Sequence, residues 1–203
     1  MEKITGVILA GGQGRRMGKV DKGLTLLQGK PFIEWVLARF SPQVDEVLIN
    51  ANQNLQHYAR FGYRIIPDEI GGFAGPLAGL HRGLAEARHG LVATVPCDSP
   101  FLPTDLVERL HKGLTAAKAQ LAVAKTFTQP HPVFCLCRRE VLTHLNDFLA
   151  SGGRKIDAWY ATLEVVEVAF DDQEEAFCNI NTPEELSEFE ADAPPSGAAK
   201  KTT

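Results

Sequence analysis

The densest group of glycines and cations in the sequence follows its first apolar segment. The stretch VILAGGQGRRMGKVDKG, residues 7–23, combines five glycines with the cations Arg15, Arg16, Lys19 and Lys22. Glycines allow backbone N–H groups to converge on an anion, and Arg and Lys side chains donate charge-assisted hydrogen bonds to phosphate oxygens. The stretch predicts a phosphate-binding loop, although a solvated basic connector would have a similar composition.

The loop differs from both of the best-known phosphate-binding motifs. A dinucleotide-binding loop requires G-x-G-x-x-G, and Met17 stands in place of its third glycine. A Walker loop requires G-x-x-x-x-G-K-[ST], and here Gln13 replaces its first glycine and Val20 its hydroxyl residue. Phosphate binding by this loop would therefore use a backbone arrangement that differs from both motifs.

A carboxylate follows a later apolar segment in the same way. Asp98 comes directly after the segment Leu91–Val95, and Pro96 helps to end the strand that this segment predicts. One or two carboxylates together with substrate phosphates are the usual ligands of Mg²⁺. Asp98 is therefore a candidate magnesium ligand, and the alternative is that it only stabilises the following turn.

Two more polar residues end predicted strands. Asn50 closes the segment Glu46–Asn50, and Asp68 follows the segment Tyr63–Ile66. Because ligands of parallel α/β sheets bind beyond the carboxyl ends of the strands, both side chains should lie near the glycine-rich loop. Asx turns would also account for an asparagine or aspartate at these positions.

The segment NINTPEE contains a pair of amides. Asn179 and Asn181 flank Ile180, so in an extended chain both side chains lie on one face, where they could bind a polar heterocycle such as a pterin. Capping of the next helix by Asn181 and Thr182 is the alternative.

Two further groups of residues have an undecided role. Arg154 and Lys155 could meet a phosphate of a second substrate or could simply be solvated. Gly75 and Gly79, which flank Pro76 at a predicted helix start, fit either a close approach of a base or a tight turn.

Strand-like and helix-like segments alternate along the chain. The predicted strands are Thr5–Leu9, Glu46–Asn50, Tyr63–Ile66, Leu91–Val95, Gln120–Lys125, Val133–Cys137 and Leu163–Phe170. The predicted helices are Pro31–Phe40, Leu55–Phe61, Pro76–Arg88, Thr104–Lys118, Arg139–Ala150 and Pro183–Glu190. This order predicts an α/β fold with a three-layer, doubly wound, mostly parallel sheet. We expect a single domain at residues 1–190 and a disordered tail at 191–203.

Composition limits the classes of partner and location. The 203 residues carry a formal net charge of −4, so no broad basic surface for nucleic acid or membranes is expected. No apolar run is long enough to span a bilayer, which favours a cytoplasmic location. The four cysteines lack zinc-site spacing and should be reduced core thiols, and the six histidines form no hydrolase motif and should be structural.

Six motifs together resemble those of the molybdenum cofactor guanylyltransferases. They are LAGGQGRRMGKVDKG, INAN, PDEIGGFAGPLAGL, VPCDSPFLP, HPVFCL and NINTPEEL, and they extend over nearly the whole chain before the tail. The resemblance implies a nucleotide-diphosphosugar-transferase-like fold. It also implies Mg²⁺-dependent transfer of GMP from GTP to the terminal phosphate of molybdopterin, with release of pyrophosphate.

The resemblance also implies roles for individual residues. The triphosphate and pyrophosphate would be held by Arg16 and Lys22, the base and ribose by Asn50 and Asp68, and Mg²⁺ by Asp98. Backbone groups of the nucleotide site would come from Leu9, Ala10, Gly11 and Gly12. Asn179 and Asn181 would contact the pterin.

Alternative functions remain within and outside this fold. Within it are a cytidylyltransferase acting on the same cofactor and a sugar-phosphate nucleotidyltransferase. Family members that use cytidine more often have L-A-A-G at the loop, so Gly11 favours GTP. From another class, a nucleotide-sensing module without turnover is disfavoured by the presence of both Lys22 and Asp98. Proteins of cofactor synthesis and acceptor enzymes would be partners for hand-over.

Overall fold

A seven-stranded sheet forms the middle layer of the molecule. The computed structural model describes residues 2–11, 21–69, 75–178 and 180. The strands of the sheet are β1 (Ile4–Leu9), β4 (Glu46–Asn50), β5 (Arg64–Ile66), β6 (Leu91–Pro96), β7 (Leu121–Thr126), β8 (Gln129–Arg138) and β9 (Val165–Ala169). A separate two-stranded hairpin consists of β2 (Leu26–Leu27) and β3 (Lys30–Pro31).

The order of the strands is β5-β4-β1-β6-β8-β7-β9. Of these, β8 alone runs antiparallel to its neighbours. The chain leaves β1 toward β4 and β5 and then returns to place β6 on the other side of β1. The end of β1 is therefore a topological switch point, where open α/β sheets bind ligands.

Helices cover both faces of the sheet. The α-helices are α1 (Phe32–Phe40), α2 (Leu55–Ala59), α3 (Pro76–Glu86), α4 (Leu106–Ala117), α5 (Leu142–Ala150) and α6 (Ile156–Tyr160). Buried residues of α1, α2 and α4 form a core with one face, and those of α3, α5 and α6 form a second core with the other. The predicted three-layer, doubly wound, mostly parallel architecture is confirmed.

The largest departure from the predicted strands concerns β8. The prediction began at Val133, but the strand begins at Gln129 and so includes Pro130 and Pro132. Proline interrupts a strand ladder because it has no N–H group. Here the ladder with β6 extends only as far as Cys135, so the prolines have a neighbouring strand on one side only, and a bulge separates them from the regular ladder with β7.

The structure also differs from the sequence prediction at one cysteine and at one short helix. Cys97, Cys135 and Cys137 are free and buried, as expected of core thiols, but Cys178 is exposed. The short helix α6 was not predicted, because the five residues that form it are too few to show helical periodicity.

Several predictions lie outside the described residues. They concern Gly12, Arg16, Asn179, Asn181, the helix at Pro183–Glu190 and the tail at 191–203. Among the helices that the structure does describe, none is long and apolar enough to cross a bilayer.

Candidate active site

Four strands end in one row at the switch point. In the parallel ladders Leu9 pairs with Asn50 and with Pro96, and Asn50 pairs with Ile66. The polar residues that follow these strands are therefore brought to a common edge, because parallel strands share the direction of their carboxyl ends. The sequence predicted this grouping, and the register of the sheet confirms it.

On the β6 side of β1, Lys22 pairs with Asp98. The Lys22 ammonium nitrogen lies 2.8 Å from Asp98 Oδ2. Asp98 is buried, whereas the Lys22 side chain keeps 26% of its surface exposed. The only hydrogen bond that the structure gives the Asp98 carboxylate within the described residues joins it to Lys22, not to its own turn. This favours a functional carboxylate over a merely turn-stabilising one.

On the β4 side of β1, three polar side chains form a network. Asn50, almost completely buried, donates from Nδ2 to the Ile66 carbonyl oxygen at 3.0 Å and to Asp68 Oδ1 at 2.8 Å. Asn52 donates from Nδ2 to Asp68 Oδ2 at 2.7 Å and accepts from the Asp68 backbone N–H at 2.8 Å. The Asp68 carboxylate is thus held at both oxygens. Asn52 was not singled out from the sequence, although it alternates with Asn50.

Gly11 and Gly79 leave room for this network. A Cβ on Gly11 would lie 2.8 Å from Asn52 Nδ2 and 3.0 Å from Asn50 Oδ1. A Cβ on Gly79, in the first turns of α3, would lie 2.4 Å from Asn50 Oδ1. A side chain on Gly11 would displace the Asn52 amide, and one on Gly79 would displace the Asn50 amide. Packing therefore accounts for Gly79, and a positive φ of 57° at the start of α3 accounts for Gly75.

The backbone at the end of β1 is partly committed to the sheet. The Ala10 N–H donates to the Asn50 carbonyl oxygen at 2.8 Å, and the Leu9 carbonyl oxygen accepts from Cys97 at 3.2 Å. The Gly11 carbonyl oxygen accepts from Asn52 Nδ2 at 3.3 Å. Ala10 therefore has no N–H left to offer a ligand. Backbone N–H donors for a ligand must therefore come from residues after Ala10.

The loop that carries Asp98 is also tied to Ile180, the residue between the two predicted pterin amides. The Ile180 N–H donates to the Asp98 carbonyl oxygen at 3.2 Å. The Ile180 side chain is completely buried with Leu27 and Phe32 in a small third core. Ile180 is thus anchored beside Asp98 by its backbone and by its buried side chain.

The donor set fits a magnesium ion only in part. Within the described residues no three His, Cys, Asp or Glu side chains form a group that could hold a metal ion. Asp98 would therefore be a single protein carboxylate. This is compatible with Mg²⁺, which keeps several waters and is commonly completed by substrate phosphates, and less so with a metal that needs an all-protein site.

Arg154, whose role the sequence left undecided, and His131, which it predicted to be structural, both contact neighbouring residues. Arg154 donates from Nη1 to the Leu149 carbonyl oxygen at 2.9 Å, near the end of α5. Such a contact satisfies a helix C-terminus, so a structural role explains Arg154. His131 accepts from or donates to Thr126 Oγ1 at 2.8 Å and stacks on Phe177, and burial lowers its pKa.

Solved structures share this architecture. Molybdopterin-guanine dinucleotide biosynthesis protein A from Archaeoglobus fulgidus superimposes with a TM-score of 0.76 and 28% identity, covering 92% of this chain and 97% of that one. A 4-diphosphocytidyl-2C-methyl-D-erythritol synthase from Anaerococcus prevotii gives 0.70 at 15% identity, covering 94% and 97%. The fold is therefore nucleotide-diphosphosugar-transferase-like, as the sequence predicted.

Sequence comparison narrows this class to a family. The model of the MobA-like NTP transferase domain matches residues 6–165, and the chain belongs to this family. A molybdenum cofactor guanylyltransferase from Shewanella amazonensis is 49% identical over 92% of this chain and 95% of its own length. One from Cupriavidus metallidurans is 48% identical over 94% and 96%.

Proposed function

We propose that this protein transfers GMP from GTP to the terminal phosphate of molybdopterin and releases pyrophosphate. The observation that carries the proposal is the convergence of Gly11, Lys22, Asn50, Asp68 and Asp98 on one edge of the sheet, in a chain nearly half identical to guanylyltransferases. The product would be the guanine dinucleotide form of the cofactor.

The reaction requires no covalent intermediate on the enzyme. A terminal phosphate oxygen of molybdopterin forms a bond to the α-phosphorus of GTP, and the bond from that phosphorus to the bridging oxygen of the β-phosphate breaks. The bridging oxygen leaves with pyrophosphate. Catalysis of this kind rests on positioning and on neutralising charge. The site accordingly needs no activated nucleophile of its own, and it offers the Lys22 ammonium and the Asp98 carboxylate.

At the phosphate end of the site, Lys22 is proposed to hold the triphosphate together with Arg16, and Gly12 with Gly11 to line the loop. The Lys22 side chain is partly exposed, so its ammonium group is accessible to a ligand. Asp98 would hold Mg²⁺, which would neutralise charge on the triphosphate and the leaving pyrophosphate. When Lys22 binds the triphosphate and Asp98 binds Mg²⁺, the hydrogen bond between Lys22 and Asp98 would be replaced by a bond from Lys22 to phosphate.

At the base end, Asn50 and Asp68 are proposed to position guanine and ribose, with Leu9 and Ala10 forming the floor between the two ends. The network fixes the Asp68 carboxylate before any ligand arrives, which lowers the entropy cost of binding. Asn179 and Asn181 are proposed to contact the pterin, and the anchored Ile180 supports their position near Asp98.

The biological setting follows from this activity. We propose that the protein acts in the cytoplasm as a single nucleotidyltransferase domain, that it receives molybdopterin from proteins of cofactor synthesis, and that it passes the product to acceptor enzymes. The absence of a membrane-spanning helix among the described residues is compatible with this location.

A nucleotide panel tests the proposal most directly. Calorimetry with Mg²⁺ present should show GTP binding at least about tenfold more tightly than CTP or ATP, because a wrong base leaves buried polar groups unpaired at about 1–3 kcal/mol each. Pyrophosphate should be released only when GTP and molybdopterin are both supplied. Equal binding of CTP would replace the guanylyltransferase by a cytidylyltransferase, and binding without any turnover would indicate a nucleotide sensor.

A further inference from the structure

Asp21, the residue before Lys22, is held by two side chains from a distant part of the chain. Tyr58 donates its phenolic hydroxyl to Asp21 Oδ1 at 2.5 Å, and Asn54 donates from Nδ2 to Asp21 Oδ2 at 3.0 Å. Tyr58 lies in α2 and Asn54 directly precedes it, whereas Asp21 directly precedes Lys22. Both oxygens of the carboxylate are therefore directed toward α2.

Tyr58 is suited to be a permanent donor in this contact. Its side chain is completely buried in the core between α2 and the sheet. Burial, with the nearby Cys97 and Asp21 as smaller causes, raises the pKa of the phenol, so the hydroxyl stays protonated throughout the working range of pH. A buried phenol needs a hydrogen-bond partner, and Asp21 supplies it.

The backbone next to Lys22 is fixed against the same phenol. A single 3₁₀ turn, Lys22–Leu24, is closed by a hydrogen bond from the Leu24 N–H to the Asp21 carbonyl oxygen at 3.0 Å. Within that turn, a Cβ on Gly23 would lie 2.5 Å from Tyr58 Oη and 3.3 Å from Cys97 Cβ. Lys22 is thus flanked on one side by an anchored carboxylate and on the other by a glycine packed against the anchor.

The orientation of Asp21 affects whether the Lys22 ammonium pairs with Asp21 or with Asp98. Asp21 is its neighbour in sequence, whereas Asp98 lies 76 positions away and is nevertheless the partner at 2.8 Å. A carboxylate that already accepts two hydrogen bonds is a weaker competitor for an ammonium group than one that accepts none. The Tyr58 and Asn54 contacts therefore occupy the Asp21 carboxylate and weaken its competition with Asp98 and with a phosphate for the Lys22 ammonium.

We propose that Tyr58 and Asp21 are positioning residues for Lys22. They do not touch substrate. They fix the turn that carries the ammonium group and keep a competing carboxylate away from it. The proposal rests on the proposed role of Lys22 in holding a triphosphate, and it does not depend on which base the nucleotide carries.

A double-mutant cycle between Tyr58 and Lys22 tests the proposal. Tyr58→Phe removes only the phenolic oxygen, and we expect turnover at saturating substrate to fall about tenfold, because a small misplacement of a catalytic group has a large effect on rate. In the Lys22→Ala background the same change should alter turnover and GTP affinity by less than about twofold, since no ammonium group remains to be placed.

Tyr160→Phe is the matched control. Tyr160 is also a buried phenol, and it donates to the Pro132 carbonyl oxygen at 2.6 Å on the opposite face of the sheet. This variant should lose stability to a similar extent as Tyr58→Phe while its turnover stays within about twofold of wild type. If Tyr58→Phe does not fold, Asp21→Ala, at a half-buried position, takes its place in the same cycle.

The cycle separates this proposal from the proposed function. An equal loss from Tyr58→Phe in both backgrounds would overturn the positioning role and leave Tyr58 a structural residue. Failure of the proposed function would instead appear in the wild-type protein, as weak binding of GTP in the nucleotide panel. In that case the cycle is repeated with the nucleotide that binds, and its outcome still decides the role of Tyr58.

Discussion

The Lys22 ammonium nitrogen lies 2.8 Å from Asp98 Oδ2 across the end of β1. The pair joins the cation that we assign to the triphosphate and the carboxylate that we assign to magnesium. Binding of a magnesium nucleotide would replace this ion pair by two new ones, from Lys22 to phosphate and from Asp98 to Mg²⁺. Because the two side chains are in contact, the phosphate and the magnesium ion would bind next to each other.

Asp98→Asn tests the carboxylate with the least change of shape. We expect turnover to fall on the order of 10²–10³-fold, about 3–4 kcal/mol, because stabilisation of the leaving pyrophosphate is lost mainly in the transition state. The melting temperature should change little, since the amide can still accept a hydrogen bond from Lys22. Steady-state kinetics and thermal unfolding check both points, and added Mg²⁺ should restore only part of the rate. Wild-type turnover in a folded variant would exclude the metal role.

Gly79→Ala tests the base end of the site. The new Cβ would lie 2.4 Å from Asn50 Oδ1, so the Asn50 amide must move and the network with Asp68 must change. We expect GTP affinity to fall on the order of tenfold, the loss expected when about one buried hydrogen bond is disturbed. Calorimetry with GTP measures this loss.

Gly83→Ala, on the same helix, is the control for this variant. Its Cβ would lie 2.7 Å from Val7 Cγ2, in the core and away from the polar network. Overpacking of this kind costs about 1–3 kcal/mol of stability. GTP affinity should stay near that of wild type. Similar affinities in the two alanine variants would mean that Asn50 does not contribute to nucleotide binding.

The pterin assignment is tested by replacing Asn179 and Asn181 together with alanine. Use of molybdopterin should weaken, seen as a higher KM for it, whereas GTP affinity should stay nearly unchanged because the two amides are assigned only to the acceptor. The comparison needs a folded protein, which circular dichroism verifies. An unfolded variant would instead support the alternative in which Asn181 caps the following helix.

His131 should make the stability of the protein dependent on pH. Burial lowers the pKa of its imidazole from the ordinary value of 6.5, so the folded state binds a proton less readily than the unfolded state. Its contribution is therefore fully present above pH 6.5 and is lost as the pH falls toward the lowered folded-state pKa, with a slope of at most about 1.4 kcal/mol per pH unit. Urea unfolding at pH 7.5 and 5.5 should show a smaller difference for His131→Gln than for wild type.

The sequence predicted more of the residues in the site than of the residues that hold them in place. The positions of Asn50 and Asp68 could be predicted because Asn50 ends a strand and Asp68 follows one, and parallel strands end together. Tyr58 could not, because an aromatic residue in a helical segment is typical of core, and its hydrogen bond to Asp21 depends on how α2 packs against a loop 37 positions away. Periodicity carries no information on such contacts.

The direction of β8 was equally beyond the sequence. An apolar run such as the one around Phe134 predicts a strand but has the same pattern in either direction, so only pairing with β6 and β7 decides it. The two prolines at its start also concealed its true length. They are tolerated because the sheet is incomplete beside them, and that is a property of the tertiary structure.

The row of strand ends also sets a length. Asp68 follows β5 and Asp98 follows β6, and the strand order places three inter-strand steps between them. At about 4.8 Å per step, the ends of β5 and β6 stand about 14 Å apart across the sheet, and the Asp68 carboxylate reaches inward from β5 to Asn50. The spacing of the hydrogen-bonded strands thus sets the distance between the ends of β5 and β6. A ligand that contacts residues following both β5 and β6 must therefore extend across the ends of β4 and β1.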